Sequence, residues 1–257
     1  EFMVLSDLVV VFLLIFARLG SMLLLIPIFG ATNVPNQVKV LFTGIFALVI
    51  MLTGQYTIGL NVTDFNLVTV SIIFEIVNGL LLGFVVVLIM NAIYIAGHLI
   101  DMDLGFAMVN VMSAQDDSEI PITANLYYLL MMILFLVTNA HHRVIEAFVR
   151  SLQIIPLGVL RFNPLHISSF VDIIKETFVI GFQIAFPIIL TSMLANLILG
   201  MLSKAMPGMN VFEFGMPFKI LIGLVIITLI FPVTVDMLSW LLERMLTYME
   251  QNLLFMR

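Results

Sequence analysis

Long apolar runs, broken at a few places by turn-forming or charged residues, set the pattern of this chain. Asp7 to Ile26 carries Arg18 as its one internal charge and predicts a first helix that stops where Pro27 and Gly30 break the periodicity. The turn-formers from Ala31 to Asn36 separate it from a second helix over about Gln37 to Gly54. Asn61 to Asp64 make the next turn, with Asp64 suited to cap a third helix. From Phe65 to His98 the chain stays apolar, relieved only by Ser, Thr, Glu75, Asn78 and Asn91. As helix that run extends roughly 50 Å, against about 30 Å of hydrocarbon. Such a helix tilts, breaks near Gly79 and Gly83, or extends beyond the bilayer inside an assembly.

Asp101 to Thr123 departs from this pattern. It carries Asp101, Asp103, Asp116, Asp117 and Glu119 and no Lys or Arg, yet its first half holds Leu104, Phe106, Met108, Val109, Val111 and Met112. A connection of about twenty residues in a compact protein is usually functional or disordered. The apolar half argues for an ordered loop packed inside something, such as a channel. Leu126 to Thr138 comes next and is shorter than a comfortable span. Asn139 to Ile167 is the most polar region, and its Val144, Ile145 and Phe148 spacing predicts an amphipathic helix ended by Pro156, Leu157 and Gly158. Another long helix is expected from Ser168 or Ser169 to about Ser203, kinked by Pro187. Lys204 to Lys219, with Met206, Met209 and Met216, reads as a second organised connection, before a last helix from about Phe218 towards Met249.

Composition turns these helices into membrane helices. Of 257 residues, 62% are hydrophobic and 10% charged, and the mean hydropathy is +1.22. Backbone inside hydrocarbon must satisfy its own hydrogen bonds, which a helix does locally, so the expected fold is an all-α membrane protein of about six long, kinked helices in hairpins. The net charge of −6 suggests no nucleic-acid partner. The absence of Cys excludes disulfides and thiolate chemistry. Residues 1–2 ahead of Met3 read as a non-native extension, and the first helix as a retained segment rather than a cleaved signal. With alternating sides, Arg143, Arg150, Arg161, Lys175, Arg244 and Arg257 fall opposite Lys39, Lys204 and Lys219 and favour a cytoplasmic C-terminus.

Candidate chemistry is sparse. The H-E-x-x-H, G-x-S-x-G and phosphate-binding glycine patterns are absent, so no catalytic residue, cofactor or metal site is expected. His141 and His142 are adjacent and point apart on a helix, which suits structural roles better than one metal. Arg18 either snorkels or meets a carbonyl between helices, or has a functional partner. Glu75 either makes an interhelical hydrogen bond, to another subunit or to Asn78, or relays protons. Gly79 with Gly83 and Ala92 with Ala96 allow close helix contact. Methionines in the two special loops could form an adaptable constriction.

The strings Arg18 to Pro35, Glu75-x-x-x-Gly79-x-x-x-Gly83, Ala96 to Asp101, Asn139 to His142, Ser151 with Pro156-Leu157-Gly158, and Pro207-x-x-Asn210-Val211-Phe212-x-x-Gly215-x-Pro217-x-Lys219 resemble, in order and over nearly the whole chain, the flagellar biosynthesis FliR family. His98 stands where an acid would be expected in that family, which weakens any proton role there. The resemblance implies a non-enzymatic subunit of the flagellar type III export gate in the bacterial inner membrane, within the basal body. It implies one copy assembled helically with FliP and FliQ, contacted by FlhB, and passing unfolded substrates. It divides the chain into a FliP-like part over 3–203 and a region 204–257 that forms, with helix 168–203, a FliQ-like hairpin. It also implies a pore plug over about 105–122, with Phe106, Met108, Val109 and Met112 filling the closed lumen. Asp116, Asp117 and Glu119 would act at the mouth, and Gly105 and Pro121 would bracket the moving part. Arg18, Glu75, Asn78 and Lys219 would serve as intramembrane polar or assembly residues, and Gly79, Gly83, Pro187, Pro207 and Pro217 as packing positions. The homologous subunit of a virulence injectisome is the close alternative. A proton-coupled transporter using Glu75, Arg18 and His98 is the distant one, and the inverted repeats it calls for are not seen.

Overall fold

The structure, a computed structural model, describes residues 2–30, 34–54, 56–57, 65–106, 121–160, 164–206 and 211–255. The described residues are helical almost throughout: α1 (Phe2–Leu25), the single turn α2 (Pro27–Gly30), α3 (Asn36–Thr53), α4 (Phe65–Leu104), α5 (Ile122–Val137), α6 (Ala140–Ile154), α7 (Pro164–Ala205) and α8 (Val211–Phe255). Five are long and apolar enough to cross a membrane, or six if α5 and α6, which bend at Thr138 and Asn139, count as one span. The all-α membrane fold read from the composition is therefore observed.

Several boundaries differ from the sequence reading, each for a local reason. The first long helix does not stop at His98 but runs 40 residues to Leu104, because Asp101 and Asp103 continue it and Gly105, at φ +88°, ends it. The expected start of a loop is thus helix. Helix α5 begins at Ile122, four residues before the expected Leu126. Pro164 opens α7 in the first-turn position where a missing N–H costs nothing. Helix α8 begins at Val211, so Pro217 and Lys219 lie within it rather than in a connection. Pro187 and Pro232 likewise sit inside α7 and α8. Helices tolerate proline in membranes because neighbouring groups satisfy the freed carbonyls.

The chain forms two compact units, 1–89 with 135–173 and 242–257, and 90–134 with 174–241. In the first, α1 buries Val11, Ile15, Leu19 and Met22, a helical stripe of three- and four-residue steps. Arg18 lies on that stripe and is fully buried. Gly83 lets α4 lie directly on α1, since a Cβ there would stand 2.9 Å from the Met22 carbonyl oxygen. A Cβ at Gly79 would overlap the Arg18 carbonyl and the Ser21 hydroxyl. The G-x-x-x-G pair thus packs α4 against α1. In the second unit the core is built from Ile93, Ala96 and Ile100 of α4, Ala124, Tyr127 and Met131 of α5, Ile184 and Ile188 of α7, and Leu238 of α8. Gly181 sits against Ala92 and Ile95, and Gly223 against Leu104, so small residues again set the crossings.

Candidate functional site

Glu75, Gly79 and Gly83 recur every four residues and share one face of α4. The close approach at the glycines brings Glu75 onto Arg18 of α1. Both side chains are fully buried. The Arg18 Nε donates to Glu75 Oε2, and Nη2 donates to Oε1 at 3.0 Å, a two-pronged pairing. Nη1 donates to the carbonyls of Ser151 at 3.0 Å and Ile155 at 3.3 Å, and Nη2 also reaches Ile155 at 3.3 Å. These five hydrogen bonds match the five N–H groups of a guanidinium. Ser151 and Ile155 belong to the end of α6, where the negative end of the helix dipole favours a cation, and the Ser151 carbonyl also accepts from the Ile155 N–H at 2.9 Å. Glu75 Oε1 accepts a further bond from the Gly158 N–H at 2.6 Å. Gly158 is held at φ +83°, a conformation glycine adopts freely. Asn78, one helical step from Glu75, donates to the Val159 carbonyl at 3.0 Å.

Arg18 and Glu75 are therefore each other's partner: Arg18 meets both carbonyls and a carboxylate, and Glu75 pairs within the chain rather than with Asn78, whose amide N–H donates to the chain after Pro156. The arrangement ties α1, α4 and the α6 terminus together with no net charge. A Lys could not replace Arg18, because an ammonium lacks the planar fork needed to meet a carboxylate and a helix end at once.

A second polar contact lies in the other unit, where the chain leaves and re-enters the segment 107–120. Pro121 precedes α5 and its carbonyl accepts from the Asn125 N–H at 3.0 Å, so it occupies the N-cap position. Proline has no side-chain oxygen with which to cap a helix. Asp101 of α4, almost fully buried, supplies one instead. Its two carboxylate oxygens accept from the Thr123 N–H at 3.2 and 3.1 Å, and one also accepts from the Thr123 hydroxyl. One helical turn earlier on α4, a Cβ at Gly97 would overlap the Ala124 backbone. The two roots of the segment are thereby held together by one carboxylate and one glycine contact.

Of the expected plug residues, Gly105 and the half-buried Phe106 belong to the described residues. Met108, Val109, Met112, Asp116, Asp117, Glu119 and the packing position Pro207 lie outside them. Lys219 stands in the third turn of α8, away from the Arg18 cluster in sequence and unit. The sequence pattern marks Asp101 and Thr123 only as loop residues. The proline at the cap position of α5 is the signal that an oxygen has to come from elsewhere.

Comparison with known proteins agrees with the residue pattern. Flagellar biosynthetic protein FliR of Bacillus subtilis is 28% identical over 250 residues, covering 93% of this chain and 94% of its own. The protein of the same name from Aquifex aeolicus is 28% identical over 234 residues, 90% of each chain. That from Caulobacter vibrioides is 27% identical over 218 residues, covering 84% of this chain and 86% of its own. The resemblance drawn from the motifs is thus borne out. Residues 9–245 match the family described as bacterial export proteins, family 1, and the chain belongs to that family.

Proposed function

We propose that this protein is a subunit of the flagellar type III export gate in the bacterial inner membrane, that it contributes to the translocation pore, and that the segment 105–122 plugs the pore when closed. The observation carrying the plug reading is the clasp between Asp101 and Thr123, which anchors both roots of that segment on a stiff helix pair. The names of the curated relatives support the flagellar assignment. FliP and FliQ are the partners expected to cover the apolar faces left open, FlhB a further contact, unfolded proteins the cargo, and the cytoplasm the side of the C-terminus. The gate works sterically: Phe106, Met108, Val109 and Met112 fill the lumen, and the acids from Asp116 to Glu119 stand at its mouth. No bond chemistry is involved.

Two measurements test this. The native mass of the particle purified in mild detergent should correspond to one copy among several other small membrane proteins, and a partnerless monomer would end the gate reading. Deleting Phe106 to Ile120 should make cells leak small ions while the particle still assembles. Wild-type impermeability in an assembled deletion would remove the plug and leave the subunit assignment standing.

A further inference from the structure

A groove of about 450 Å³ runs along the first unit between α1, α3 and α4. Leu13, Gly20 and Leu24 of α1, Thr43 of α3 and Ile76 of α4 line it, and Lys39 is the one charged residue among its lining. From Leu13 to Leu24 it follows about 16 Å of helix. Lys39 lies near the start of α3, where its ammonium donates to the Gly30 carbonyl at 3.3 Å. No carboxylate pairs with it among the described residues. An ammonium has three N–H donors, of which one is used among the described residues, so a cation stands at the end of an apolar trough whose lining includes the exposed Val40.

We propose that this groove is a binding site for an anionic phospholipid, with the phosphate on Lys39 and one acyl chain along α1. Charge selects the headgroup, because Lys39 offers a hydrogen-bonding cation where a helix of apolar outer face begins. Dimensions select the chain. The trough follows about 16 Å of α1 and encloses about 450 Å³, the length and space for one extended hydrocarbon chain. Thr43 turns its hydroxyl to its own helix, donating to the Lys39 carbonyl at 2.7 Å, and so leaves its methyl to the groove. The inference rests on α1, α3 and α4 alone and holds whether or not the chain serves an export gate.

The full chain, purified in mild detergent with its co-purifying subunits, is titrated with phosphatidylglycerol and phosphatidylcholine, and retained lipid is read by native mass spectrometry. Retention of phosphatidylglycerol should exceed that of phosphatidylcholine roughly fivefold, the effect of one basic side chain at an anionic lipid. Lys39→Gln should erase the preference and Lys39→Arg keep it. Gly20→Leu should reduce retention of both lipids by filling the groove. Its Cβ is tolerated, since the nearest atom, Cγ2 of Thr43, lies at an ordinary 3.6 Å. An unchanged preference in Lys39→Gln would overturn the proposal. So would a photo-crosslinker at Val40 that captures a polypeptide instead of lipid.

Discussion

Two buried polar contacts among the described residues solve opposite problems with the same chemistry. Around Arg18 a full charge is buried, and every donor of the guanidinium is used, across three segments of chain. At Asp101 a carboxylate accepts from the N–H and the hydroxyl of Thr123, with no cation among these donors. The first contact is neutral only as a whole, and neither charge can be removed without stranding the other. The second is a substitute helix cap, from which the charge can be subtracted while the geometry survives. A matched set fixes packing permanently, whereas a cap fixes where one helix begins.

Neutral isosteres separate the two cases. Glu75→Gln should be the most damaging exchange, because it leaves a buried guanidinium without a counter-charge, at a cost of about 3–5 kcal/mol. Thermal unfolding of the purified protein should show it losing its transition or its yield. Were it as stable as the parent, the pair would not be buried as described. Asp101→Ala should cost about 0.5–2 kcal/mol, the range for losing a helix N-cap. Asp101→Asn should recover most of that loss, because asparagine caps about as well as aspartate. An asparagine variant as unstable as the alanine one would mean that Asp101 acts through its charge, which would erase the contrast with Glu75. The smallest effect serves as a control. Glu146 and Arg150 form an exposed i,i+4 pair at 2.8 Å, and Glu146→Ala should shift stability by no more than about 0.5 kcal/mol.

How far each contact is legible in the sequence depends on what it is made of. Arg18, Glu75, Gly79 and Gly83 stand out because charges and glycines are rare in apolar helices. Their mutual pairing becomes evident once the glycines bring α4 onto α1. The other half of the set is invisible in sequence, since the carbonyls of Ser151 and Ile155 and the N–H of Gly158 are backbone groups that any residue carries. Asp101 and Asp103 mislead for a related reason. Acids interrupting an apolar run look like solvent-facing loop, and only the partner at Thr123 explains why one is buried inside a helix. At Pro217 the sequence signal reads as a break, but the surroundings of a membrane helix relax that rule.

The set around Arg18 also imposes an order on biogenesis. Arg18 precedes Glu75 by 57 residues and the Ser151 carbonyl by 133. At a synthesis rate of about 5–20 residues per second, the guanidinium is made roughly 3–11 s before its carboxylate and roughly 7–27 s before the α6 carbonyls exist. Helix α1 must therefore wait with an unmatched charge, at the membrane surface or against the insertion machinery, until α4 arrives. The carboxylate that neutralises Arg18 has not yet been translated when α1 leaves the ribosome.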